Sequence, residues 1–226
     1  YSLGCREFYI KGNEKSNVAA IIARYLQGDA GKKAQNIFIK DFVTNDPATR
    51  SMITEAVKYA PSNLPILILG PSGTGKTTLA KLLHEHSGRP GEFTAINCAA
   101  YTEDLLEAEL FGYRKGAFTD AKETRKGRLA QADKGTLFLD EIGAMSSNMQ
   151  TKLLKAIEEK SFYPLGADKL GYSDFRIISA TLEDIQKLLT DGRLRFDFFQ
   201  RVHGITLTLK PLAQRKCDVF PIIQAF

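Results

Sequence analysis

The chain has 226 residues, 43% of them hydrophobic, enough for one large domain, or one domain and part of another, around a sizeable core. Its 31 lysines and arginines against 26 acids leave a net charge of +5, which permits contact with nucleic acid without demonstrating it. No apolar run approaches the roughly 18 residues of a membrane span, no secretory signal opens the chain, and Cys5, Cys98 and Cys217 match neither a disulfide framework nor a zinc site, so a reducing, cytoplasmic setting without a membrane partner is expected. His84, His86 and His203 have no cysteines at ligand spacing and read as surface or helix-face residues. Tyr1 in place of a starting Met suggests an excised fragment.

Residues 1–40 differ from the rest. Residues 18–26 read as a short amphipathic helix ended by Gly28, and Gly31-Lys32-Lys33 as a polar connection, together the tail of an upstream regulatory domain or a linker. From Phe42 the pattern is regular. Asp46 and Pro47 open a helix to about Ala60, as N-cap and first-turn proline. A strand at 65–69 is followed by a helix at 76–86, a strand at 93–97 and a helix from about 102. The segment 110–128 is rich in Gly and Lys and interrupts that helix. Its Arg114, Lys115, Lys122, Arg125, Lys126 and Arg128 outnumber Asp120 and Glu123, which fits either an acidic or nucleic-acid partner or a solvated basic loop. A strand at 136–140 precedes a helix at 148–160 with Leu153, Leu154 and Ile157 on one face. A strand at 175–180, helices at 182–190 and near 193–202, and an alternating strand at 205–209 complete the series. Strands alternating with helices predict an α/β fold with a parallel sheet.

Two motifs carry chemistry. Residues 70–77, Gly70-Pro71-Ser72-Gly73-Thr74-Gly75-Lys76-Thr77, lie between the apolar strand and a helix that begins Thr78-Leu79-Ala80. That is the P-loop pattern, or Walker A, in its proper context. Its glycines let backbone N–H groups wrap phosphate oxygens, and the helix N-terminus adds a favourable dipole. Lys76 is placed to reach the β- and γ-phosphates of ATP, and Thr77 to put its hydroxyl on Mg²⁺. The second motif is Asp140-Glu141, ending the strand Thr136-Leu137-Phe138-Leu139 as a Walker B does. A doubly wound sheet binds ligands at the carboxyl ends of its strands, so this tip is expected beside the P-loop. Asp140 would organise Mg²⁺ and Glu141 would polarise the attacking water as general base. Separately, the two motifs are also compatible with a Gly-rich turn and a solvated acidic turn; together they point to nucleotide chemistry.

The stretch 107–121, EAELFGYRKGAFTDA, resembles the signature of sigma-54-dependent transcriptional activators, the bacterial enhancer-binding proteins, which are AAA+ ATPases. The resemblance spans about residues 42–220. It implies a five-stranded P-loop fold flanked by helices, with residues 41–210 as the ATPase core and 211–226 as the start of a helical lid. It also implies a ring, typically a hexamer, with ATP at each subunit boundary. Gly116, Ala117, Phe118, Thr119, Asp120 and Ala121 match the family's GAFTGA loop, which touches sigma-54 in the RNA polymerase holoenzyme. Asn97 matches the asparagine that positions the catalytic glutamate, and Arg195 and Arg201 match arginines supplied to the neighbour's ATP. Asp120 departs from the family's glycine, and Leu182 stands where a sensor asparagine is usual, leaving Thr181 to face the γ-phosphate. Promoter or enhancer DNA would be met only through a reader domain this chain lacks. Residues 153–176 also resemble the subgroup that controls the bacterial RNA-repair operon. Two alternatives stay open: an AAA+ ATPase that remodels another protein, and a nucleotide-binding scaffold with weakened hydrolysis.

Overall fold

The computed structural model describes residues 42–225; the helix expected at 18–26 lies outside them. Helix α1 (Pro47–Lys58) opens at Asp46, whose carboxylate accepts from the Thr49 backbone N–H at 2.8 Å and its hydroxyl at 2.7 Å. Then follow β1 (Ile66–Leu69), α2 (Lys76–Glu85), β2 (Phe93–Asn97), α3 (Glu103–Phe111), β3 (Gly112–Tyr113), β4 (Arg125–Lys126) and α4 (Arg128–Gln131). The chain continues through β5 (Thr136–Asp140), α5 (Ser147–Glu159), β6 (Ser161–Phe162), β7 (Gly171–Tyr172), β8 (Arg176–Thr181), α6 (Ile185–Thr190), α7 (Phe196–Val202), β9 (Ile205–Thr208) and α8 (Val219–Ala225).

Five strands form one parallel sheet in the order β2-β5-β8-β1-β9. Its central strands are buried on both faces, as in parallel sheets covered by helices. The period-2 alternation of side chains sorts each strand between two cores. Leu67, Leu137, Leu139 and Ile177 join the core under α3–α7, whereas Ile66, Ile68, Phe138, Ile178 and Ala180 join the one under α1 and α2.

The helices expected at 182–190 and 193–202 begin later, at Ile185 and Phe196, because Asp184 caps the first and Arg195 is the N-cap of the second. The segment expected as an irregular loop contains an antiparallel ladder, β3 on β4, and a second ladder, β6 on β7, stands beside it. Strands of two residues carry too little periodicity to be read from sequence.

At the end of the sheet opposite the P-loop, Arg176 is buried and donates to the carbonyls of Ala60, Tyr59 and Leu64. It ties the end of α1 to the start of β8. Burial, then the charge of Arg89, pushes its pKa down to about 10.

His84 is half-buried, with Nδ1 2.9 Å from the Thr136 hydroxyl and its ring 5.7 Å from that of Phe93. Burial, then the charges of Arg89 and Arg176, lower its pKa from 6.5. The unfolded chain therefore binds the proton more tightly, and stability falls as pH drops from above 6.5 through the folded-state value. His84→Gln is expected to flatten the melting temperature against pH below about 6.5. An unchanged slope in thermal scans would exclude His84 as its source.

Candidate nucleotide site and partner loop

The residues of the two motifs meet at the carboxyl ends of the strands. Gly70 follows β1, and a Cβ there would lie 2.7 Å from the Leu209 carbonyl, so the close approach requires glycine. Gly75 adopts φ 96° at the start of α2, and a Cβ there would press on the Phe42 ring at 2.9 Å. Phe42 thus backs the P-loop, a role that no local sequence pattern signals. Pro71, Ser72 and Gly73 are exposed, Thr74 is buried and donates its hydroxyl to the Pro71 carbonyl at 2.9 Å, and Thr77 and Thr78 are exposed on the first turn of α2.

Lys76 is 7% exposed. Its Nζ donates to the Gly70 carbonyl at 3.0 Å and pairs with Glu141 Oε1 at 3.3 Å. Glu141 sits at φ 56°, ψ 56°, a left-handed backbone uncommon for a residue other than glycine and held there by the structure around it. Its other oxygen, Oε2, accepts the Leu182 backbone N–H at 3.1 Å. Leu182 thus reaches the site through its amide, while its side chain is 54% exposed. Burial raises the Asp140 pKa, Lys76 opposes that shift, and the neighbouring Glu141 charge adds to it.

The strands that end at Asp140 and at the P-loop are not neighbours in the sheet, because β8 runs between β5 and β1. Two strand spacings, roughly 10 Å, separate the ends of β5 and β1, and the Lys76–Glu141 pair spans that gap. Thr181 ends the intervening strand; its carbonyl accepts from Gly70 N at 3.3 Å, and its hydroxyl accepts from Glu183 N at 3.1 Å. Asn97 stands opposite Asp140 in register, and its side chain accepts from Ala99 N at 2.9 Å, capping the turn after β2.

Arg195 and Arg201 stand apart from the P-loop's own contacts. Arg195 makes a two-point pair with Asp197, at 3.0 and 2.6 Å, and Arg201 meets Glu158 at 2.9 Å; both guanidinium groups are exposed. Sequence reasoning missed Arg215 and Asp218. This buried ion pair, 3.0 Å long, sends an Arg215 N–H to the Thr74 carbonyl at 3.2 Å.

The segment 113–124 projects from the β3–β4 ladder. Gly116 N donates to the Ala121 carbonyl at 2.9 Å, closing a loop that presents Phe118, Thr119 and Asp120 to solvent. Ala121 is buried, and a Cβ at Gly166 would lie 2.9 Å from that of Ala117. The Tyr113 ring supports Phe118 edge-on at 5.0 Å. Arg114 N donates to the Leu165 carbonyl at 3.0 Å, so the neighbouring 163–167 segment braces the loop's base. Of the basic residues here, Arg125 and Arg128 are committed to Glu109, at 2.7 and 3.3 Å.

A parallel five-stranded sheet with a P-loop after its first strand and an acidic pair at the end of another defines a P-loop nucleoside triphosphatase fold. The sigma-54 interaction domain model matches residues 42–208, so the chain belongs to that family. It is 43% identical over 185 residues to the transcriptional regulatory protein ZraR of Klebsiella oxytoca, covering 81% of this chain and 42% of the relative. It is 41% identical over 194 residues to a Nif-specific regulatory protein of Rhodobacter capsulatus, covering 85% and 34%. The crystal structure of NtrX from Brucella abortus superposes with a TM-score of 0.75 at 29% identity, covering 93% of this chain and 45% of that one; NtrX has also been solved with ADP and with ATP. The chain thus spans between a third and a half of these relatives.

Proposed function

We propose that residues 41–210 are an ATPase core that hydrolyses ATP to ADP and phosphate and uses the cycle to move the 113–124 loop against sigma-54, remodelling the closed complex of RNA polymerase. The observation that carries this reading is the position of Lys76, buried between the Gly70 carbonyl and Glu141. A cation held there by one carboxylate is poised to exchange that partner for a phosphate. Gly70 to Gly75 supply the cradle, and the NtrX complexes with adenine nucleotides support ATP as its occupant.

The oxygen donors suit Mg²⁺. Thr77 offers a hydroxyl and Asp140 a carboxylate, and Mg²⁺ characteristically takes one or two protein oxygens beside phosphates and waters. Among the described residues no three His, Cys, Asp or Glu side chains cluster as an all-protein cage would need. Bound there, Mg²⁺ supplies charge neutralisation at the phosphates.

Once Lys76 turns to phosphate, Glu141 Oε1 is released to accept a proton from the attacking water. The Leu182 amide keeps Oε2 in place. Asn97, opposite Asp140 at the end of β2, is the adjacent candidate for orienting the water or Glu141. Thr181, at the end of the strand between β5 and β1, is the candidate to face the γ-phosphate. Arg195 and Arg201 act on the next subunit's ATP in a ring, where arginines acting in trans are worth roughly 10³–10⁵ in rate. Loop position follows nucleotide state by differential affinity for two conformations.

The test is binding of the full-length protein to sigma-54 with ADP–aluminium fluoride, at concentrations that form rings. Wild type is expected to bind and Thr119→Ala to lose binding. Failure of wild type to bind while it hydrolyses ATP would make Asp120 the mark of a different protein partner. Absence of phosphate release would favour the scaffold reading instead.

A further inference from the structure

Gln150 is fully buried on α5, an unusual place for a primary amide unless every polar atom is matched. Its Nε2 donates to the Met145 carbonyl at 2.9 Å and to the Arg193 carbonyl at 2.7 Å. Its Oε1 accepts the Arg195 backbone N–H at 2.8 Å. The partners themselves fix which end is oxygen, because two are carbonyls and one is a donor.

These contacts join two segments with separate duties. Met145 follows the turn Ile142–Ala144, which leaves directly from Glu141. Arg195 is the N-cap of α7, the helix that bears Arg201. Arg193 runs parallel to the same link: its guanidinium pairs with Glu183 at 2.5 and 2.9 Å and donates to the Gly143 carbonyl at 3.0 Å. Glu183 lies one residue beyond the Leu182 amide that holds Glu141.

We infer that Gln150 is a positioning residue that couples the Glu141 turn of one subunit to the arginines which that subunit presents to its neighbour. The inference rests on the proposed ATPase reading with arginines acting in trans. An apolar side chain of similar length would fill the same space but release Met145 and the start of α7 from each other. Misplacement by about 1 Å can cost on the order of 10²-fold in rate. The loss would fall on the neighbour's site, with the variant's own P-loop and Glu141 intact.

Mixed rings test this in the full-length protein. Gln150→Met is expected to bind ATP as wild type does and to release phosphate roughly 10²-fold more slowly. Glu141→Gln subunits keep their arginines but lack the base. Mixing the two variants should restore phosphate release well above the sum of the separate preparations, since a Gln150→Met site can then be completed by a neighbour with well-placed arginines. Arg195→Ala and Arg201→Ala, each mixed with Glu141→Gln, serve as references. Restoration by the arginine variants but not by Gln150→Met would overturn the inference and leave Gln150 as a support of its own site. If neither arginine variant is restored, the trans assignment fails and takes the inference with it. Should Gln150→Met not fold, Gln150→Glu keeps the volume and the acceptor for Arg195 N–H, and the same mixing decides the outcome.

Discussion

Glu141→Gln is expected to retain ATP while phosphate release falls by roughly 10²–10⁴-fold, the usual worth of a positioned general base. The substitution preserves volume, and one amide oxygen can still accept the Leu182 N–H that Oε2 accepts at 3.1 Å. What disappears is the charge that holds Lys76 at 3.3 Å. Freed from that partner, Lys76 has only the Gly70 carbonyl to leave before it meets phosphate, so affinity should hold or rise. Lys76→Ala should behave oppositely and lose tight binding, because the cation that completes the cradle is gone. Equilibrium binding of a fluorescent ATP analogue, set beside phosphate release, separates the two. Wild-type turnover in Glu141→Gln would remove its role as base, and wild-type affinity in Lys76→Ala would remove the P-loop assignment.

The second large effect is on stability. Asp218 is fully buried, and its carboxylate accepts from Arg215 Nη1 at 3.0 Å, the Thr44 hydroxyl at 2.7 Å, Asn45 N at 2.5 Å and Asp46 N at 2.9 Å. It therefore joins the segment after β9 to the entrance of α1. Asp218→Ala would remove the ion-pair partner of the buried Arg215 guanidinium and leave the Thr44 hydroxyl and the Asn45 N–H without the acceptor they share. Breaking one side of a buried pair costs roughly 3–5 kcal/mol. For a domain of this size that lowers the melting temperature by roughly 6–20 °C. Because Arg215 also donates to the Thr74 carbonyl, nucleotide affinity should weaken alongside. Thermal unfolding followed by circular dichroism reads the effect, and a shift of a degree or two would show that solvent or rearrangement replaces the lost contacts.

Much of the site was readable from local pattern. The P-loop glycines, Lys76 and Thr77 form one continuous stretch after an apolar strand, and Asp140-Glu141 end another, so strand-to-helix chemistry alone locates them. The period of the hydrophobic residues was enough for the parallel α/β class, because each strand must feed two cores. The 110–128 segment announced itself by composition, and the resemblance of residues 107–121 to the sigma-54 activators agrees with the match of the sigma-54 interaction domain to residues 42–208.

Other features arise between segments distant in the chain, and no window of sequence contains them. Strand order is one: only packing decides that β8 separates β5 from β1, and that placement brings the Leu182 amide to Glu141. The sequence marks Leu182 as a side chain unfit to sense phosphate, yet the contact is made by its backbone, which any residue but proline would supply. Arg176, Arg215 with Asp218, and Gln150 likewise look like ordinary surface residues in a linear reading. Folding buries them, and burial obliges each to find partners across separations as large as 174 residues, as between Thr44 and Asp218. The sequence by itself determined the glycine loop after β1, the acidic pair and the α/β class, since each depends on neighbours in the chain. Tertiary structure alone decided how Lys76, Glu141 and Leu182 converge and how α7 is held, since hydrogen bonds between remote segments exist only once the sheet has brought them within about 3 Å.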